Sequence, residues 1–323
     1  MRVPWSTALP AALLAAGVAL VAPPSFGQAK YPVQTVTLVT HSSPGGGSDV
    51  FARELVKHLA PILGVNMVVE NRTGGSGARA VAKVAQAPAD GSTFYMTTPT
   101  YIQTSLLSKV EFGYDSLDPL VNVFYDPEVI FTRTQSPFKT LAEAIDHARK
   151  NPGKAKWGAA NPTSLERIAL ERLNRVTGAK AAVVPHEGGG DMMINVLNGS
   201  LDLGIGEMQE LLPQLQAGKI RLLGVLTEKR LPRYPDLATA QEQGIDVAVI
   251  KFRGIAGPKN LPPAVVQAWE EAVKQVLAKP EYRKVYEAES LIPVYKGQRD
   301  ARALTAAFAK DLEASLRELQ IIK

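Results

Sequence analysis

Short apolar runs alternate along the chain with segments in which apolar residues recur every three or four positions. The first pattern predicts β-strands and the second predicts amphipathic helices. The predicted strands span residues 35–40, 65–69, 93–97, 129–131, 181–184, 201–205 and 222–226. The predicted helices span residues 48–59, 141–150, 164–176, 191–197 and 209–217. This alternation is typical of the α/β class, in which parallel sheets are covered by helices on both faces.

Two further apolar stripes lie near the C-terminus, and no strand is predicted between them. One contains Val265, Val266, Trp269, Val273, Val276 and Leu277, and the other contains Leu304, Phe308, Leu312, Leu316 and Leu319. Because a single sheet would be large for so many strands, we expect two lobes, with these helices closing the first. The chain is predicted to cross near residues 124–127 and to return near residues 250–254. Lobe 1 then comprises residues 30–125 and 252–323, and lobe 2 comprises residues 126–251.

The N-terminal segment has the pattern of a secretory signal peptide. Arg2 precedes an apolar run over residues 8–21, and small residues follow at the spacing that a signal peptidase accepts. We expect a signal peptide over residues 1–29, with the mature chain beginning at Gln28 or Lys30. A membrane anchor is the alternative, but the run is too short to cross ~30 Å of hydrocarbon comfortably. The mature chain is expected to be soluble, and N-terminal sequencing would identify the cleavage position.

The amino-acid composition excludes several kinds of site and ligand. The chain has no cysteine, which excludes disulfides, thiolate nucleophiles and Cys-ligated metals and suits a bacterial periplasm. Its 4 histidines show no metal-binding spacing, so we expect no metal and no cofactor. The net charge is +5, and no basic stripe carries interleaved aromatic residues. Nucleic acid is therefore not an expected partner, whereas a mildly basic protein favours anionic ligands.

Two glycine-rich loops follow the first two predicted strands, and each opens a helix. The first spans residues 41–49 and the second spans residues 70–78. Glycines allow backbone N–H groups to approach a ligand, and helix N-termini favour anions. We expect Ser48 or Asp49 to cap the first helix and Gly46 to use positive φ. The alternatives are a plain tight turn in the first loop and a weak GxGxxA dinucleotide motif in the second.

These loops also resemble a known family. The segments PGGGSDVFAREL and VVENRTGGSGARAVAKVAQAPADGSTF, followed by VVPHEGGGDMMINVLNGSLDLGI and FRGIAGPKNLPP, are similar to the receptors of tripartite tricarboxylate transporters, also called Bug-type solute-binding proteins. The resemblance covers essentially the whole mature chain. It implies a two-lobed Venus-flytrap architecture of the type II periplasmic binding protein fold. It also implies a receptor that captures a carboxylate and delivers it to membrane transporter subunits. We expect this receptor to be monomeric and to perform no chemistry on its ligand.

The resemblance assigns candidate ligand-binding residues. They are Ser43, Gly45, Gly46 and Gly47 in the first loop, Asn71, Thr73, Gly74 and Gly75 in the second, Thr98 and Thr100 after the third strand, and Thr163, Ser164, Gly189, Gly190 and Asp191 in the second lobe. For Thr163 and Ser164 the alternative role is simple helix capping, which uses the same hydroxyl group.

The sequence also departs from the family pattern. Arg167 stands where relatives often have histidine, Arg133 stands where they have an aliphatic residue, and Phe252 replaces a common tryptophan. An arginine near a cleft can clamp a second carboxylate, but it can also form a surface ion pair, with Glu166 or Glu171 as partners for Arg167.

We therefore expect a periplasmic receptor for a di- or tricarboxylate, aromatic dicarboxylates included. Two alternatives stay open: an exported enzyme acting on an acidic substrate, and a sensor partner that presents its ligand to a signalling receptor. No GxSxG motif supports a hydrolase, although abundant Asp and Glu leave a paired-carboxylate mechanism open.

Overall fold

The computed structural model describes residues 31–249 and 251–318. The predicted signal peptide, both predicted cleavage positions, Ile250 and Leu319 lie outside the described residues. Within the described part of the chain, no helix combines the length and the apolar character needed to cross a membrane.

The described strands form two sheets. The first sheet has the order β11-β4-β10-β3-β1-β2, and the second has the order β7-β6-β8-β5-β9. The strands of the first sheet are β1 (Thr35–Thr40), β2 (Asn66–Asn71), β3 (Thr93–Thr97), β4 (Leu117–Asp126), β10 (Lys251–Pro258) and β11 (Ile292–Lys296). Those of the second sheet are β5 (Glu128–Arg133), β6 (Lys156–Ala159), β7 (Ala182–Pro185), β8 (Leu203–Glu207) and β9 (Ile220–Val225).

The α-helices of the described chain lie between and after these strands. They are α1 (Gly47–Leu63), α2 (Ala78–Ala85), α3 (Pro99–Leu107), α4 (Leu141–Lys150), α5 (Leu165–Thr177), α6 (Gly189–Leu197), α7 (Met208–Gln216), α8 (Pro263–Ala278), α9 (Pro280–Ala288) and α10 (Gln298–Glu318).

Several predicted bounds agree with these elements, including β1, β3 and α4, but the sequence reading missed strands. It missed β4, in which Asp118 and Pro119 interrupt the apolar run. It also missed the short strand β6 and the strand β10. The expectation that no strand separates the C-terminal helices is wrong, because β11 lies between α9 and α10 and pairs with β4.

The sheets are mixed, which corrects the expectation of parallel sheets. Strand β5 runs antiparallel to β8 and β9, and β10 runs antiparallel to β3 and β4. The chain leaves the first sheet at Asp126 and starts the second at Glu128. The chain thus enters the second sheet at the C-terminal ends of its parallel strands, so β5 must run antiparallel to them. The strand β10 enters the first sheet in the same way and therefore also runs antiparallel to the parallel strands.

Each sheet is buried on both faces. Leu38 and Phe94 pack on one side of the first sheet with Trp269 of α8, whereas Val39 and Tyr95 pack on the other. This alternation follows from the two-residue period of a strand. The two faces of the second sheet are buried in the same way, because Ile130 packs in the core on one face and its neighbours Val129 and Phe131 pack in the core on the other. Helices therefore cover both faces of both sheets, as predicted.

Capping interactions fix where several helices begin and end. Thr140 caps α4 by accepting a hydrogen bond from the Glu143 N–H at 3.2 Å, and the Glu143 carboxylate accepts one from the N–H of Lys139, the residue before the cap. Helix α5 begins after Ser164, whose Oγ accepts from the Arg167 N–H. It ends at Gly178 in the left-handed conformation, which glycine adopts without strain.

We expect Leu38→Ala to lower the free energy of unfolding by about 2–5 kcal/mol, because it leaves a cavity in the core of the first sheet. Leu38 is fully buried, whereas Val68 of β2 is 51% exposed. The control Val68→Ala should change the free energy by less than about 0.5 kcal/mol. Urea denaturation measures both, and equal losses would contradict this assignment of the core.

Candidate functional site

The carboxyl ends of the parallel strands in the two sheets meet at one place. There the loop after β1 packs against the loop after β7, backbone against backbone. A Cβ atom on Gly188 would collide with Ser43, and one on Gly190 would collide with the Pro44 carbonyl oxygen. A Cβ on Gly46 would collide with Ser42 Oγ and lie 3.2 Å from the Gly189 nitrogen. Glycine is therefore required on both sides of this contact.

A small buried cavity lies beside this contact. Its volume is about 20 Å³, roughly the space of one water molecule. Its lining residues are His41, Ser42, Gly47, Ser48, Thr100, Ala160, Asn161, Glu166, Gly188, Gly189, Glu207, Glu210 and Lys251. A small organic molecule can enter only if the loops of the two sheets separate.

The first loop presents a backbone donor to a carboxylate. The Gly47 N–H, at the start of α1, donates a hydrogen bond of 2.7 Å to Glu210 Oε2 from the other sheet's side. Gly46 is the N-cap with φ −78°, so the expected cap at Ser48 or Asp49 is wrong, and so is the positive φ expected for Gly46. Gly45 has φ +80° instead. Asp49 lies in the first turn, and its carboxylate accepts from the Gly45 N–H at 2.9 Å.

The second loop supports the first and does not reach the cavity. Asn71 donates to the Ser42 carbonyl oxygen at 3.0 Å and to Asp49 at 2.8 Å. Thr73 lies in an open groove with Arg72 and Arg79. Gly74 and Gly75 both have positive φ and shape the turn, and neither lines the cavity. Of this group, only Asn71 contacts the first loop directly.

The predicted hydroxyl residues lie close to the cavity. Thr100 lines it, and Thr98 is fully buried with no hydrogen-bond partner for its Oγ1 among the described residues. Thr163 Oγ1 lies 2.6 Å from Oγ1 of Thr104 in α3, which links the two sides. Ser164 caps α5, in line with the alternative role weighed for it.

The remaining candidates lie away from the cavity. Arg133 is the last residue of β5 and lies at the opposite end of this strand from Glu128. Because β5 runs antiparallel to β8, its C-terminal end lies away from the C-terminal ends of the parallel strands, and the Arg133 guanidinium packs against Gly199. The Arg167 side chain is half-exposed, bonds the Pro162 carbonyl oxygen at 2.8 Å and lies 3.7 Å from Glu171. Asp191 is in the first turn of α6 and does not line the cavity. The structure therefore gives Arg167 the surface ion pair and separates Arg133 from the other candidates.

A network of buried charges surrounds the cavity. It comprises the carboxyl groups of Asp126, Glu128, Glu166, Glu207 and Glu210 and the basic groups of Lys251 and Arg253, all of them buried. We call these seven residues the charge cluster. Lys251 Nζ donates to Glu166 at 2.5 Å, donates to Glu207 and lies 3.3 Å from Glu128.

Arg253 completes the cluster. It pairs with Asp126, approaches Glu207 at 3.1 Å, donates to Ser48 Oγ at 2.9 Å and stacks over the Phe51 ring. It therefore ties α1 and β4 of the first sheet to β8 of the second. Ionised groups are buried at high cost unless they are paired in this way.

Burial and charge shift the pKa values within the cluster. Burial raises the pKa of Glu128 to about 8 against the attraction of Lys251, and the Glu166 charge adds to the rise. Burial, reinforced by Glu166, also raises the pKa of Glu210 to about 8. Burial alone would raise the pKa of Glu166, but Lys251 holds it below the usual value. Burial and the positive charge of Lys251 lower the pKa of His41 to about 4.

Three of these carboxylates have a spacing that could hold a cation. Oxygen atoms of Glu128, Glu166 and Glu207 lie within 4.8 Å of one another. Because Lys251 Nζ contacts all three, its ammonium group supplies the positive charge at this point. That no metal or cofactor binds stays a prediction.

Comparison with known proteins identifies the family. Residues 51–322 match the model of the tripartite tricarboxylate transporter family receptor. The chain belongs to this receptor family. The family prediction is confirmed, and so is the prediction that the chain is a binding protein and not an enzyme, because the family and its structural neighbours are binding receptors.

Solved structures with the same architecture confirm the two-lobed periplasmic-binding fold of this receptor. The periplasmic binding protein BugD is 24% identical with a TM-score of 0.84, and the match covers 90% of this chain and 99% of BugD. An R. palustris protein solved with adipate is 27% identical, with a TM-score of 0.84 and coverage of 89% and 97%. MatC from Rhodopseudomonas palustris, solved with malate, is 25% identical, with a TM-score of 0.81 and coverage of 90% and 100%.

Sequence reasoning missed the charge cluster of this receptor. A signal was available, because Asp126 and Glu128 flank Pro127 inside an otherwise apolar stretch, VFYDPEVIF. Lys251 and Arg253 are two residues apart in a strand and therefore share one face. Charged residues inside buried strands need partners, which predicts a cluster where such strands meet.

We expect stability to fall as pH rises between about 6.5 and 8. Over this range folded Glu128 and Glu210 still hold protons that the unfolded chain has released. Each residue therefore lowers the free energy of unfolding by about 2 kcal/mol across the range, at ~1.4 kcal/mol per pH unit. His41, with its lowered pKa, acts with the opposite sign only below about pH 6.5. Denaturant titrations at several pH values should show that the free energy of unfolding of Glu128→Gln falls with pH about half as steeply as that of the wild type.

Glu281, exposed on α9, provides the control. Glu281→Gln should reproduce the wild-type pH dependence. A Glu128→Gln profile as steep as wild type would show that this carboxyl ionises normally in the folded protein.

Proposed function

We propose that this protein is an exported periplasmic receptor that captures a small organic acid between its two lobes. It then delivers the acid to the membrane subunits of a tripartite tricarboxylate-type transporter. The family supports the transporter partner, and the relatives solved with adipate and malate support an organic acid as ligand. The periplasmic location is supported by the likeness to BugD.

The contact between the Gly47 N–H and the Glu210 carboxylate carries this proposal. It is a carboxyl oxygen held at the N-terminus of a helix, where unpaired N–H groups and the helix dipole favour a fully charged carboxylate even more than the protonated carboxyl group of Glu210. A ligand carboxylate is the same chemical group, and we propose that it binds here when the loops open. Glu210 then acts as an internal substitute that the ligand displaces.

Two buried hydroxyl groups, which do not line the cavity of the closed form, also need a hydrogen-bond partner near these loops. Ser43 Oγ and Thr98 Oγ1 are buried and have no hydrogen-bond partner among the described residues. Buried hydroxyls normally find a partner, so both favour an acceptor at this point. We therefore keep Ser43, Gly46, Gly47, Thr98, Thr100, Gly189 and Gly190 in the proposed site, with Asn71, Thr163 and Ser164 as supporting residues, and leave Arg133 out.

The lobes of the proposal follow the two sheets. Lobe 1 carries the first sheet and lobe 2 the second, with crossings near residues 126–128 and 250. Because Asp126 and Lys251 pair within the first sheet, we assign both to lobe 1, one residue beyond the bounds expected from the sequence. Separation at these crossings opens the contact between Ser43 and Gly188, and closure buries the ligand.

We expect Gly46→Val to abolish binding, because the added side chain collides with Ser42 and meets the loop of the other lobe. The matched control is Gly45→Ala in the same loop. Its φ of +80° costs about 1 kcal/mol for alanine, but its Cβ meets no atom within 4 Å. Calorimetry with adipate and malate, paired with thermal melting, measures binding and folding on one sample. Unchanged affinity in Gly46→Val would place the carboxylate elsewhere.

The cavity of about 20 Å³ cannot admit a small organic acid, so we expect the ligand-free protein to populate a more open form in solution than the closed form of this structure. A saturating ligand should then draw the two lobes together and reduce the radius of gyration. Small-angle scattering with in-line chromatography measures the radius, and the mass should be that of a monomer. If the radius stays constant while calorimetry shows saturation, the lobes do not close on the ligand.

A further inference from the structure

The charge cluster contains more acid than base. Five carboxyl groups, those of Asp126, Glu128, Glu166, Glu207 and Glu210, face the two basic groups of Lys251 and Arg253. All seven residues are almost fully buried. Even with Glu128 and Glu210 protonated, three carboxylates face two basic groups. A ligand that adds a second or third carboxylate would therefore enlarge the excess of negative charge at short range, where little water screens it.

Glu128 marks the place where positive charge is needed. The residue is 0% exposed, and neither of its carboxylate oxygens has a hydrogen-bond partner among the described residues. Its oxygens point into the cluster, since they lie within 4.8 Å of those of Glu166 and Glu207. Glu166 Oε2 is unpartnered as well. Buried acceptors without donors are destabilising, so this geometry favours a donor-rich group beside Glu128 and Glu166.

Lys251 does not meet this need by itself. Its ammonium group has three N–H donors, and Glu166 and Glu207 already accept from two of them. Glu128 Oε1 lies 3.3 Å away in an ion pair without a hydrogen bond. Arg253 is engaged by Asp126, Ser48 and Glu207.

We propose that the cleft selects an organic acid that also carries a protonated amine, with the ligand carboxylate at Gly47 and its ammonium group at Glu128 and Glu166. This rests on the proposed function, because it assigns the second half of the same ligand. It replaces the di- or tricarboxylate expected from the sequence with an amino acid or a related zwitterion. An ammonium group supplies three donors and one positive charge where the cluster lacks both.

A divalent metal ion is the competing cation. It would have to lie among Glu128, Glu166 and Glu207, and Lys251 Nζ contacts all three of them. A divalent ion would meet the Lys251 ammonium group with twice the charge of an organic ammonium group, and it has no hydrogen to donate to the free oxygens of Glu128 and Glu166. The geometry therefore favours the amine.

The test compares acids of equal carbon number that differ at one group. At four carbons these are succinate, aspartate and 4-aminobutyrate, and at six carbons adipate, 2-aminoadipate and 6-aminohexanoate. Calorimetry on the purified wild-type protein should give at least tenfold tighter binding for an amino-bearing acid than for its diacid. A diacid that binds as tightly as its amino counterparts overturns the inference and leaves the proposed function standing.

A set in which no acid binds would overturn the proposed function as well. Thermal stabilisation by CaCl₂ or MnCl₂ alone, reversed by EDTA, would assign the cluster to a metal ion and overturn the amine.

The variant Glu128→Gln locates the amine. It keeps the shape of the side chain and removes the carboxyl group that would ionise to pair with the ammonium group, so the preference for the amino-bearing acid over its diacid should fall by at least tenfold. The surface control Glu281→Gln should keep the wild-type preference. Thermal melting confirms folding, and an unchanged preference in folded Glu128→Gln would overturn the assignment of the amine to this carboxylate.

Discussion

Pairing of buried charge is the constraint on which the rest of this structure depends. Lys251 and Arg253 lie at the start of β10, where the parallel strands of the first sheet end, and their partners come from both sheets. An ion taken out of water loses several kcal/mol of solvation, so each group must hold a partner wherever the loops close. The contact between the lobes is therefore specified by charge and hydrogen-bond geometry, in addition to apolar packing.

The same residues connect the chain and the site. Asp126 and Glu128 flank the point at which the chain passes from one sheet to the other, and Lys251 stands where it returns. Motion at these crossings changes the distances within the charge cluster directly. Opening the cleft hydrates the charges, and closing it requires that their imbalance be neutralised by a proton or by a ligand.

Recognition is divided between two kinds of group. In the proposed site, backbone N–H groups at the start of α1 bind a carboxylate of any shape, because these donors and the helix dipole interact only with its negatively charged oxygen atoms. Side chains such as Glu128 and Glu166 read what is attached to that carboxylate, because a buried charge strongly favours one sign of partner. A receptor family can thus keep one anchoring loop while its members bind different acids. Under our proposal, the ligand class of this member is decided by side chains of the second sheet.

The sequence alone predicted the α/β class, the two lobes and the glycine-rich loop after β1, because strand and helix periods and glycine clusters are local properties. It also placed Gly47, Thr100 and Gly189 among the candidate residues, through the resemblance of those loops to a family. It did not predict β4, β11 or the antiparallel course of β5 and β10, since strand direction is set by where the chain enters a sheet.

Only the tertiary structure separated Arg133 from the site and paired Arg167 with Glu171, because a residue's distance from the cleft depends on strand direction and helix face. Only it brought Glu128, Glu166 and Glu210 together from three separate elements. Charge pairing acts through space between residues far apart in sequence, and no local pattern records which of many acidic residues will come together in one buried cluster.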